Sequence, residues 1–221
     1  MGYKVSYEQA DKIFEKLSET YEIWAPKRFK GKGRYSQTDL IRYDRVCRAE
    51  DIEYREKSDM PAKEVLSPIT QSLFYFTEDE YIESKATSKK LLIFMRPCDI
   101  HAQHHQERIY LGNGGFEDLY YKRMNEKVKI VMMECTEGWD TCFCVSMGTN
   151  KADGYAAAVR FGDGELLFDV EDQDLAPYFE KMEENGFKPD YIEENEISLT
   201  VPEIPDKDVL TKLKSHPMWQ E

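Results

Sequence analysis

The chain has 221 residues, 33% of them charged, and a formal net charge of −13 at pH 7. This length suits one large domain with a sizeable core, while the acidic balance excludes generic nucleic-acid binding, which needs a basic face to neutralise phosphates. The sequence has no run of about 18 apolar residues and no signal-peptide pattern at its N-terminus, so we expect a cytoplasmic protein.

The first third of the chain predicts a helix, a basic loop and short strands. Apolar residues within 3–22 recur near helical spacing, which predicts an N-terminal amphipathic helix. Residues 24–35 follow as a loop, either solvated or a docking site for a partner or an anionic cofactor. Residues 38–57 look like short strands, and 58–64 like a turn that leads into a buried helix over 65–76. The basic residues of the loop are Lys27, Arg28, Lys30, Lys32 and Arg34.

The middle of the chain predicts two parallel strands. Five apolar residues in a row, 91–95, are typical of a strand covered on both faces. A helix over 100–111 follows, with Asp99 suited to cap its first turn. After a second helical stretch, residues 128–134 form another strand candidate. Strand, helix and strand at this spacing are a βαβ pattern, whose two strands run parallel.

The last third of the chain predicts a hairpin and two helices. Residues 155–161 and 166–170 flank the turn Gly162-Asp163-Gly164 and predict a β-hairpin. The acidic stretch that follows predicts one exposed helix near 175–185, and a short helix is expected near 206–215.

Together these elements predict an α/β fold, with α+β as the alternative. The expected architecture is a central, mainly parallel sheet with flanking helices and a β-hairpin. We expect one domain over 1–205 that carries the functional site, followed by a C-terminal helix and linker over 206–221.

Four of the five cysteines fall within 47 residues. They are Cys98, Cys135, Cys142 and Cys144. Cys98 and Cys135 each follow a predicted parallel strand, and ligands of α/β folds bind outside the carboxyl ends of such strands. Neighbouring strands lie about 4.8 Å apart, and Cys142 and Cys144 follow on a loop that can fold back over the same edge. All four sulfurs can therefore converge.

Four converging thiolates satisfy a [4Fe-4S] cluster. The C-x-C spacing of Cys142 and Cys144 differs from the C-x-x-C spacing usual in zinc ribbons. We therefore interpret all four cysteines as the ligands of one cluster, under an apolar lid of Trp139 and Phe143. A zinc site and four unrelated buried thiols remain as alternatives. Cys47 is interpreted as an ordinary thiol.

Two competing chemistries involve the helix after Cys98. His101 and His105 share a helix face and could ligate a metal, but the Glu of an H-E-x-x-H motif is absent, and a solvated or packed face is the alternative. Cys98 with His101 as base would suit a thiol enzyme, which leaves the other cysteines unexplained. The stretch Gly112–Gly115 matches no nucleotide fingerprint, because it ends a helix.

Several segments resemble the A subunits of anaerobic sulfite reductase and, more distantly, the beta subunits of sulfhydrogenases. The main ones are Arg96-Pro97-Cys98-Asp99-Ile100-His101-Ala102, Tyr120-Tyr121, Glu134-Cys135 and Cys142-Phe143-Cys144-Val145-Ser146-Met147-Gly148-Thr149. Further similar stretches are 33–36, 63–66 and 73–77. The R-P-C-D and C-F-C pair is the specific part of the resemblance.

The resemblance implies a non-catalytic iron–sulfur subunit. Such a subunit relays electrons from a flavin-containing diaphorase subunit to a siroheme subunit, where sulfite is reduced to sulfide. Members also carry a C-terminal ferredoxin-like module with further cysteine groups, and no such groups occur here. We therefore expect one cluster in this chain and no sulfite reductase activity from it alone. The alternative is a non-redox scaffold domain with structural zinc, which docks through its basic loop.

Overall fold

The computed structural model describes residues 1–35, 37–84 and 88–200. The strands are β1 (Gly2–Ser6), β2 (Tyr21–Phe29), β3 (Leu40–Arg45), β4 (Phe74–Phe76), β5 (Tyr81–Glu83), β6 (Lys90–Met95), β7 (Val128–Met133), β8 (Ala157–Phe161), β9 (Glu165–Val170) and β10 (Glu183–Glu184). The α-helices are α1 (Tyr7–Leu17), α2 (Pro97–Leu111) and α3 (Leu119–Asn125). Short 3-10 helices occupy Ala49–Asp51, Ala62–Val65 and Ala176–Tyr178.

Eight of the strands form one mixed sheet in the order β10-β1-β9-β8-β7-β6-β2-β3. The central pairs β2–β6, β6–β7 and β7–β8 are parallel, and the outer pairs are antiparallel. The predicted hairpin is present as β8 and β9, while β4 and β5 form a separate two-stranded sheet. The predicted α/β class, with its parallel strands and flanking helices, is confirmed.

The central strand β6 is covered on both faces. All five of its apolar residues are at most 1% exposed. Leu92 and Phe94 point into a core shared with α1, whereas Leu91, Ile93 and Met95 join a second core. That second core includes residues of α2 and α3, so helices cover opposite faces of the sheet. Among the described residues, no helix is long and apolar enough to cross a membrane.

The N-terminal segment is a strand followed by a helix, so the prediction of one helix over 3–22 is only partly right. Val5 is fully buried in β1, where it pairs with Leu166 of β9. The Ser6 hydroxyl accepts a hydrogen bond from the Gln9 backbone, and the Gln9 side chain accepts one from the Ser6 backbone. This capping box starts α1 at residue 7. The predicted loop over 24–35 likewise begins inside β2, which extends to Phe29.

Two predicted helices are wrong. The buried helix expected over 65–76 is a 3-10 helix followed by irregular chain and β4, and Ile69 is 89% exposed. Pro68 disfavours helix because it lacks an N–H and restricts the residue before it. The helix expected near 175–185 is a 3-10 turn and the short β10. The helix expected near 206–215, within the predicted linker 206–221, lies outside the described residues.

Candidate functional site

The carboxyl ends of β6 and β7 open on a cavity of about 360 Å³. The two strands are parallel neighbours, with Ile93 opposite Ile130, so the residues that follow them reach the same edge of the sheet. The cavity is lined by all four cysteines of the predicted set: Cys98, Cys135, Cys142 and Cys144. The structure therefore brings together side chains that are up to 46 positions apart in sequence.

The loop after Cys135 is folded by its own hydrogen bonds. The Cys142 N–H donates to the Trp139 carbonyl at 2.7 Å, and the Thr149 N–H donates to the Cys144 carbonyl at 2.8 Å. These tight turns direct Cys142 and Cys144 back toward the sheet edge. Trp139 and Phe143, the predicted lid, both line the cavity, and Phe143 is 45% exposed at its rim.

A later segment of the chain holds this loop in place. The Ile192 N–H donates to the Cys135 carbonyl at 2.9 Å, and the Asn195 side-chain oxygen accepts the Val145 N–H at 2.8 Å. A Cβ on Gly138 would lie 2.9 Å from the Ile192 side chain, so only glycine fits there without a shift. Sequence reasoning missed the clamp by Ile192 and Asn195, since neither has a recognisable motif.

Arg96 forms one wall of the cavity and is 9% exposed. Its Nη2 donates to the carbonyls of Tyr54 at 2.8 Å and Glu56 at 3.3 Å. Its guanidinium carbon lies 4.4 Å from the centre of the Trp139 ring, a cation–π contact. Burial raises the pKa of Cys135, and the Arg96 charge and hydrogen bond oppose that rise. Arg96 therefore places a positive charge beside the thiols, and Lys57 also lines the cavity.

Cys98 is the second residue of α2, next to the half-buried Asp99. Desolvation, the Asp99 charge and the neighbouring cysteines raise the pKa of Cys98 to about 12. Burial also raises the pKa of Asp99, against the opposing charge of Arg96. Asp99 does not cap the helix as predicted, because the helix begins after Arg96 and the Asp99 carboxylate accepts a hydrogen bond from the Tyr43 hydroxyl at 3.4 Å.

This environment does not suit a thiol enzyme. A thiol with a pKa near 12 is almost entirely protonated at neutral pH, whereas nucleophilic cysteines have lowered pKa values. The proposed base, His101, directs its Nε2 at the Lys151 carbonyl, 2.7 Å away. Cys98 and His101 therefore do not form an activated pair.

The thiols are not arranged around a single metal ion. Across the residues that the structure describes, no three His, Cys, Asp or Glu side chains are grouped so that they could hold one ion.

The residues at the cavity fit an iron–sulfur cluster. The donors are cysteine sulfurs, which such clusters require, and an eight-atom cube is smaller than the ligands that pockets of this size enclose. A cluster with four thiolates is anionic, and the N-terminus of the 15-residue α2 and the Arg96 charge both favour an anion here. The Trp139 N–H already donates to the Cys142 sulfur at 3.3 Å.

Among curated proteins, the chain is similar to the sulfhydrogenase 2 subunit beta of Pyrococcus furiosus. It is 28% identical over 153 residues, which cover 69% of this chain and 43% of the relative. The chain thus spans less than half of the relative's length. No family model matches the chain, and no solved structure matches it significantly. The chain is a distant homologue of a sulfhydrogenase beta subunit, and the more specific resemblance to sulfite reductase A subunits stays a prediction.

Proposed function

We propose that this chain is an electron-transfer domain of an iron–sulfur subunit in a multi-subunit oxidoreductase. It holds one [4Fe-4S] cluster through Cys98, Cys135, Cys142 and Cys144. The observation that carries this proposal is the convergence of the four cysteines on one cavity at the carboxyl edge of parallel strands. The distant similarity to a sulfhydrogenase beta subunit supports a place in a redox complex.

The residues around the thiols prepare the cavity for this role. A bound cluster supplies one-electron transfer. Ligation requires the thiols to lose their protons, which the raised pKa values of Cys98 and Cys135 resist in the metal-free chain. Arg96 offsets the resulting negative charge from a fixed position, since two carbonyls and the Trp139 ring hold its guanidinium. Trp139 and Phe143 add apolar surface to the cavity lining.

We further propose that the complex is an anaerobic sulfite reductase. In this proposal a flavin-containing subunit donates electrons, and a siroheme subunit receives them and reduces sulfite to sulfide. The R-P-C-D segment at Arg96 and the C-F-C segment at Cys142 support this choice. The chain itself binds no sulfite and catalyses no reaction, so its activity depends on the other subunits.

Anaerobic reconstitution with iron and sulfide tests the cluster. The wild type should take up about four irons and four sulfides per chain and acquire visible absorption. Replacing each ligand in turn by serine should abolish that uptake, whereas Cys47→Ser, the matched control, should not. The ligand variants are C98S, C135S, C142S and C144S.

Binding of one equivalent of zinc without visible absorption would refute the proposed cluster. It would support the alternative, a non-redox scaffold domain with structural zinc. Uptake that survives the loss of two ligands would show that the four cysteines do not act as one set.

A further inference from the structure

The β2–β3 hairpin concentrates positive charge in an otherwise acidic chain. Residues 26–43, here called the basic hairpin, contain six Lys or Arg residues and one Asp, while the whole chain has a net charge of −13. Such a local reversal of sign steers an approaching charged partner toward one place on the surface.

The basic hairpin projects past the sheet edge where the cysteine cavity opens. In the parallel pair, Trp24 of β2 lies opposite Ile93 of β6, so Pro26 is level with Met95 at the end of β6. Pro26 itself lines the cysteine cavity. β2 continues to Phe29, and three further residues of strand extend about 10 Å beyond this level. The tip of the hairpin therefore overhangs the mouth of the cavity.

Only part of this charge is neutralised within the chain. Arg28 pairs with Asp39 at 3.2 Å, with Glu53 at 2.9 Å and with Glu56 at 2.7 Å, so it serves to hold the hairpin. At the tip, three cations are exposed and have no acidic partner within ion-pair distance among the described residues: Lys30, Lys32 and Arg34. They form a compact positive surface beside the exposed ring of Tyr35.

The tip has a defined shape. The Gly31 N–H donates to the Asp39 carboxylate at 2.9 Å, and Gly31 adopts a φ of 63° that favours glycine. The Gly33 N–H donates to the Thr38 carbonyl at 2.9 Å, and the Thr38 hydroxyl donates to the Tyr35 carbonyl at 2.9 Å. These bonds shape the backbone that carries the three cations.

We propose that the basic hairpin docks an acidic electron-transfer protein, whose redox group it brings over the cysteine cavity. This inference rests on the proposed function. Transient redox encounters use small interfaces, and charge complementarity sets their orientation and rate. The net negative charge of the remainder of the chain disfavours an acidic partner elsewhere, so the basic hairpin is the favoured place of approach.

The test uses a small acidic ferredoxin as the probe and follows electron transfer into the reconstituted chain by stopped flow. The triple variant K30E/K32E/R34E should slow the reaction at least tenfold at low salt and remove its salt dependence. Reduction by the methyl viologen radical, a small cation that needs no docking, should not slow. The matched control K12E/K16E/K181E, whose three lysines lie around a separate pocket beside α1, should leave the ferredoxin rate within about twofold.

Equal slowing by the two triple variants, or none by K30E/K32E/R34E, would overturn the proposal. If the wild type takes up no cluster, the proposed function fails separately, and calorimetry with the same ferredoxin still tests the hairpin. Salt-dependent binding that K30E/K32E/R34E abolishes supports docking, and absent binding overturns it. Sedimentation could also show a wild-type dimer that becomes a monomer in K30E/K32E/R34E, with no ferredoxin binding. The hairpin would then bind a second copy of the chain, and the proposal would be overturned.

Discussion

Replacing Arg96 by methionine should destabilise the fold, because Arg96, in the cavity wall, donates hydrogen bonds to the segment 54–56. The change removes two charge-assisted hydrogen bonds to the carbonyls of Tyr54 and Glu56, each contributing about 1.5–3 kcal/mol. It also removes the stacking on Trp139, which contributes roughly 1–2 kcal/mol at a desolvated site. Allowing for overlap, we expect Arg96→Met to lower the free energy of unfolding by about 4 kcal/mol.

Thermal and urea unfolding of the reduced, metal-free protein measure this loss. The melting temperature should fall by about 8–16 °C, at roughly 2–4 °C per kcal/mol for a chain of this size. Arg45→Met is the matched control, because Arg45 also stacks on a tryptophan, Trp24 at 5.6 Å, and pairs with Glu22 at 2.9 Å, but at the surface. It should cost about 1 kcal/mol or less. Equal losses for the two variants would refute the role given to Arg96.

Three further outcomes follow from the contacts around the site. Cys98 and Cys47 are both exposed, yet Cys98 should react with iodoacetamide more slowly between pH 7 and 9, since a pKa raised to about 12 leaves little thiolate; a faster Cys98, identified by peptide mass spectrometry, would contradict this. Gly138→Ala should lower iron retention after reconstitution, because its Cβ would lie 2.9 Å from the Ile192 side chain, and full iron content would show that the loop adjusts freely. Phe94→Ala should cost about 3–5 kcal/mol in urea unfolding, whereas the exposed Ile69→Ala should cost almost nothing, and similar losses would contradict the assigned core.

The sequence was sufficient to predict those elements whose residue pattern is compatible with only one secondary structure and one kind of burial. The apolar run 91–95 has no polar face, so it can only be buried on both sides, and the shorter apolar run 130–133 within the predicted strand 128–134 has the same character. A helix between two such strands forces a parallel crossover. The placement of Cys98 and Cys135 at one edge followed from this topology, and all four cysteines do line the cavity there.

The remaining elements depend on contacts distant in sequence. Tyr3 and Val5 fit the start of a helix as well as a strand. They form a strand because β1 pairs with β9, which lies more than 160 positions later. The aromatic stretch at 73–76 has the composition of a core segment, yet it forms an exposed two-stranded sheet because Pro68 ends the helical option. Asn195 holds the cysteine loop through the Val145 N–H, a contact that no local pattern reveals.

The central claim is that the four cysteines hold one redox-active cluster, and electron paramagnetic resonance of the reconstituted wild type tests it most directly. Anaerobic reduction should produce the signal of one paramagnetic iron–sulfur cluster per chain, reoxidation should remove it, and a second reduction should restore it. The C98S variant should lack the signal, because it has lost the first of the four proposed ligands. A protein that binds iron or zinc but shows no reversible signal, or a C98S variant that retains the wild-type signal, would contradict the account.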